Sequence, residues 1–171
     1  NGGAALTNKG VINNSASGYI VNESAGSPAV MTNQGTITNT GVSCIENVGV
    51  FTNSSAGTIT NTGASYIRNY GVFTNSSAGT VTSTDSYINV YNGSTFTNEG
   101  TVSNSGNAGH IQTESGSTFT NKGTIVNSGS GWMRCNWAAP ASARVRQAYS
   151  LARSMHSSTR RCAASWRVVS R

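Results

Sequence analysis

The chain has 171 residues, of which 36% are apolar and 9% charged, with Asn, Thr, Ser and Gly abundant, and so thin an apolar fraction excludes a large globular core. Its net charge of +6 is uneven: Lys9, Arg68 and Lys122 stand against Glu23, Glu46, Asp85, Glu99 and Glu114 in residues 1–130, whereas residues 131–171 hold eight Arg and no acid. No run of about 18 apolar residues exists, which excludes a membrane-spanning helix on pattern; no signal peptide is visible, and the chain reads as a mature product or a fragment of a longer one.

From Leu6 one unit recurs: LTNKGVINN, MTNQGTITNTG from Met31, GVFTNSSAGTITNTG from Gly49, GVFTNSSAGTVTST from Gly71, FTNEGTVSNSG from Phe96 and FTNKGTIVNSG from Phe119. The leading apolar residues are Leu6, Met31, Phe51, Phe73, Phe96 and Phe119, spaced 25, 20, 22, 23 and 23 apart. A period of this size signals a solenoid, a propeller or an array. Each unit divides into pieces of the form apolar–x–Asn. The first pieces run from Leu6/Asn8 to Phe119/Asn121. The second are Ile12/Asn14, Ile37/Asn39, Ile59/Asn61, Val81/Ser83, Val102/Asn104 and Ile125/Asn127. The third are Ile20/Asn22, Ile45/Asn47 and Ile67/Asn69, with Val90/Asn92 and Ile111/Thr113 as weaker members.

Residues two apart on a strand face the same side, so the apolar residue and its Asn both point inward. Gly, Asn, Ser and Ala between the pieces supply turns. A helical reading fails because the period is two and helix formers are scarce. The predicted fold class is all-β: a right-handed parallel β-helix of about six coils over residues 1–130, the hand following that of parallel crossovers. Like residues then stack coil upon coil, and the Asn side chains form hydrogen-bonded ladders.

Residues 131–171 form a second region, basic and without repeats. A helix from Ala141 to Met155 fits its pattern. The region reads as a cap over the last coil, as a basic amphipathic helix for a membrane or nucleic acid, or as a segment not native to the domain. Cys44, Cys135 and Cys162 form neither a disulfide framework nor a zinc spacing, and a Cys135–Cys162 bridge stays open.

No catalytic constellation stands out. Acids and bases are scattered singly among the coils, and His110 and His156 lack a partner set. Glu46 and Arg68, at matching third-strand positions, predict a surface ion pair worth about 0–1 kcal/mol. The expectation is no enzyme, no cofactor, no metal, and no nucleic acid for residues 1–130. The regular feature is the outward pair flanking each second-strand apolar residue: Thr36 and Thr38, Thr58 and Thr60, Thr80 and Thr82, Thr101 and Ser103, then Thr124 with Val126. Stacking turns these into two rows, about 6.6 Å apart across the strand and about 4.8 Å per coil along the axis. That lattice resembles the Thr-x-Thr arrays of β-helical antifreeze proteins, although Thr is also an ordinary strand residue.

The FTNxGTITNTG repeats over about residues 4–130 resemble those of large bacterial surface proteins, the haemagglutinin-like adhesins and autotransporter passengers. The resemblance implies an extracellular, cell-surface stalk or adhesive fibre that meets surface glycans or other surface molecules, or associates with itself. It carries over no site residue, and the basic region departs from its pattern. An ice-binding protein using the Thr face is the alternative, with ice as its partner, and a polysaccharide-binding or polysaccharide-cleaving β-helix is a third reading.

Overall fold

In a computed structural model the chain is described for residues 3–23, 26–91 and 93–135. Every regular element among them is a strand of four or five residues. The first coil contains β1 (Ala5–Asn8), β2 (Val11–Asn14) and β3 (Tyr19–Asn22). The second contains β4 (Val30–Asn33), β5 (Thr36–Asn39) and β6 (Cys44–Asn47). The third contains β7 (Val50–Asn53), β8 (Thr58–Thr62) and β9 (Tyr66–Asn69). The fourth contains β10 (Val72–Asn75), β11 (Thr80–Thr84) and β12 (Tyr87–Val90). The fifth contains β13 (Thr95–Asn98), β14 (Thr101–Ser105) and β15 (His110–Thr113). The sixth contains β16 (Thr118–Asn121), β17 (Thr124–Asn127) and β18 (Trp132–Cys135).

Corresponding strands pair in parallel, giving three six-stranded sheets: β1-β4-β7-β10-β13-β16, β2-β5-β8-β11-β14-β17 and β3-β6-β9-β12-β15-β18. The expected parallel β-solenoid of about six coils is therefore the fold. Register carries like over like, as Phe51 under Phe73 under Phe96. The Phe51, Phe73, Phe96 and Phe119 rings stack with centroids 4.6 to 4.8 Å apart and planes within 5 to 7°. Ile37, Ile59, Val81 and Val102 fill the second side of the core, and Ile45, Ile67, Ile88 and Ile111 the third, all essentially without exposure. Each such side chain contributes roughly 1.5–3 kcal/mol.

The inward Asn residues form the expected ladders. In the first sheet Asn8, Asn33, Asn53, Asn75 and Asn98 each donate an Nδ2–H to the Oδ1 of the next coil's Asn at 2.8 Å, ending on Asn121. The same amides also reach turn carbonyls, as Asn53 does to Gly57 at 3.0 Å. The buried amides of the first sheet are thus paired, and they fasten turns to their coils.

The other two ladders are interrupted in the fourth coil. Ser83 stands where Asn61 and Asn104 stand in the coils on either side, and Asn61 donates instead to the Ser86 hydroxyl at 2.9 Å. In the third sheet Val90 lies over Asn69, and Ile88 lies between Ile67 and Ile111. This corrects the Val90/Asn92 reading. Ile88 and Val90 are the inward pair, because this register buries both apolar side chains completely. The third sheet also continues past residue 130, with Met133 over Ile111 in the pairing of β18 with β15. The helix expected at Ala141–Met155, and any pairing with Cys162, lie outside the described residues.

The turn between second and third strands needs one left-handed residue per coil. Gly41, Gly63, Gly106 and Gly129 supply it at φ 77, 70, 87 and 66°, but Ala16 and Asp85 take the same place at 60 and 51°. Asp85 is compensated: its carboxylate accepts hydrogen bonds from the Asn107 and Ala108 amides at 2.6 and 3.1 Å. Ala16 has no side-chain polar group to do the same.

Candidate functional site

The second sheet places all nine sequence-predicted residues on one outward face. Thr36, Thr58, Thr80, Thr101 and Thr124 form one column in register, and Thr38, Thr60, Thr82 and Ser103 the other. Neighbours in the column half-bury all of these except the exposed Thr124. The lattice stops at both ends, with Val11 and Asn13 in the first coil and Val126 in the sixth. The first sheet carries a longer column, Thr7, Thr32, Thr52, Thr74, Thr97 and Thr120, unbroken through six coils. These faces offer many weak hydroxyl and methyl contacts at a fixed repeat.

The third sheet is different, and sequence reasoning missed it. Its first outward column runs Tyr19, Cys44, Tyr66, Tyr87, His110, Trp132, and its second runs Val21, Glu46, Arg68, Asn89, Gln112, Arg134. The alternation continues into Tyr70 and Tyr91, directly after β9 and β12. The signal was in the sequence: an aromatic residue immediately precedes the third-strand apolar residue in five coils of six. His110 stacks on Trp132 with centroids 4.3 Å apart, and Tyr87 lies 4.2 Å from His110 at a tilt of 40°. Tyr70 and Tyr91 stack at 4.3 Å. The Arg68 guanidinium lies 4.5 Å from the centre of the Tyr66 ring and pairs with Glu46 at 3.8 Å, the ion pair expected from the sequence.

Cys44 faces outward by register, yet it has no exposure. The phenol oxygens of Tyr19 and Tyr66 approach to 3.5 Å across the intervening coil and roof it over. Burial pushes its thiol up to about 11, against a lowering by Arg68. Burial between aromatic neighbours lowers His110, against its contact with the Ala108 carbonyl, so His110 is neutral at neutral pH. Among the described residues no three His, Cys, Asp or Glu gather as a metal site.

No family model matches the chain. Comparison with curated proteins finds no match, and comparison with solved structures finds none.

Proposed function

We propose that the chain is a non-catalytic, extracellular surface element, a segment of a stalk or fibre that adheres to other surface molecules. The observation that carries this reading is the first sheet. Its Asn ladder and its stacked Phe rings run without a break and make one continuous body, about 24 Å from first to sixth coil. Its charged groups are few and lie at the surface, among them the ion pairs Arg68–Glu46 and Lys122–Glu99, as a scaffold tolerates. The test is location in the source cells. An antibody to the chain should label intact, unpermeabilised cells, and confinement of the chain to the cell interior overturns the proposal.

The second-sheet register favours one further reading, ice binding. Four successive coils present paired hydroxyl side chains at a constant repeat. Thr60→Tyr puts a bulky, strand-compatible side chain in the middle of that lattice. Thermal hysteresis in the parent that Thr60→Tyr abolishes at an unchanged Tm would support ice binding; no hysteresis in the parent would discard it.

A further inference from the structure

We propose that the adhesive face is the third sheet, and that its ligand is a neutral polysaccharide chain lying along the solenoid axis. The inference rests on the surface-element reading for where such a polymer is met.

Segregation is the first argument. Of the six Tyr in the chain, Tyr19, Tyr66, Tyr70, Tyr87 and Tyr91 lie on or beside this sheet, together with His110 and Trp132. The outward positions of the other two sheets hold no aromatic residue among the described residues. Strand propensity alone would not sort aromatic rings onto one face of three, since all three are built from the same repeat.

Arrangement is the second. The third and fourth coils read Tyr66-x-Arg68-x-Tyr70 and Tyr87-x-Asn89-x-Tyr91, so two aromatic rails flank a polar row. Because the rings stack on one another along the axis, they turn their edges and phenolic hydroxyls outward. Amphipathic tips of this kind suit a ligand whose surface alternates C–H and hydroxyl. In the polar row, the Asn89 Oδ1 is buried as an acceptor that no group of the protein satisfies.

Size and charge select the class. From Tyr66 to Tyr70 the face is about 13 Å wide, and over six coils about 24 Å long, roughly 300 Å². A standard protein interface takes about 800 Å² from each partner, so a protein would overhang it, whereas a single polymer chain covers it. Arg68 is already paired with Glu46, and the exposed Arg134 at the end of the polar row is outweighed by Glu23 and Glu114 bordering the face, which disfavours a polyanion.

The experiment is co-sedimentation of the full chain with particulate cellulose, chitin, cross-linked dextran and mannan beads, in low and in molar salt. The expected result is retention by at least one of these that survives high salt, with Kd raised about tenfold or more in Tyr70→Ala/Tyr91→Ala at an unchanged Tm. Thr60→Tyr on the second sheet should bind as the parent does. Retention by none of the four, retention that high salt abolishes, or a double variant that binds as the parent does each overturns the proposal. If the chain adheres to cells and the double variant adheres equally, the face assignment fails and the surface-element reading stands. If the chain is confined to the cell interior, the surface-element reading fails whatever the beads show.

Discussion

Asn104 lies directly over Ser83, and its Oδ1 is buried without a hydrogen-bond partner. In the coils below, Asn39 and Asn61 receive an amide donor from the previous coil. Ser83 has no amide to give, and its hydroxyl is engaged with Ser86 at 2.7 Å. A buried acceptor left in this state costs about 1–3 kcal/mol. Ser83→Asn should restore the rung and raise stability by about 1 kcal/mol, read as an upward shift in Tm. A lower Tm would show that Ser86 leaves no room for the amide.

Phe73 stacks between Phe51 and Phe96, and neither neighbour can move without leaving its own coil. Phe73→Ala should cost about 3–5 kcal/mol, a large part of the stability of a chain of this size. Far-UV circular dichroism should show loss of β-structure at a much lower temperature. A variant melting within a degree of the parent would contradict a continuous core.

Ala16 occupies the left-handed turn position that Gly fills in four other coils. Ala16→Gly should stabilise by about 1 kcal/mol, because the conformation costs an L-residue about that much. Asp85→Gly should destabilise instead, since it removes two hydrogen bonds to the Asn107 and Ala108 amides. Chemical denaturation of the two variants checks the opposite signs.

Cys44 keeps its proton up to about pH 11 in the folded chain, whereas an ordinary thiol loses it near 9. The unfolded chain therefore releases a proton that the folded chain retains. This contribution to stability is whole below about pH 9 and is lost as pH rises to about 11. Tyr66 and Tyr70 are raised too, Tyr66 first by its hydrogen bond with Tyr19 and Tyr70 first by burial, and both act in the same direction. Denaturation midpoints should fall over this range, and site-resolved alkylation of Cys44 should stay slow until the chain unfolds. Fast alkylation of the folded chain at pH 8 would contradict the Tyr19–Tyr66 roof.

The first and second sheets were legible because Phe51/Asn53 and Ile59/Asn61 state both inward positions in residue type. The Thr face followed from them by alternation. Legibility failed where an inward position lost its Asn. At Val90 the repeat offered two registers, and only packing between Ile67 and Ile111 selects Ile88. At Met133 the strand lies in a basic, Trp-rich stretch that masks its kinship with Ile111. The aromatic face stayed hidden for another reason. Tyr19, Tyr66 and Tyr87 are outward residues, and a pattern search built on the core ignores what flanks it.

The Asn ladders have one more consequence. In every rung between two Asn the Nδ2–H points towards the later coil and the carbonyl oxygen towards the earlier one. Backbone dipoles largely cancel in a sheet, but these side-chain dipoles all add. The rod is therefore electrically polar, with oxygen at its first coil and N–H at its last. Its two ends are unlike, as the ends of a helix are. Another solenoid of this kind could extend the ladder only head to tail, because reversing it would set oxygen against oxygen.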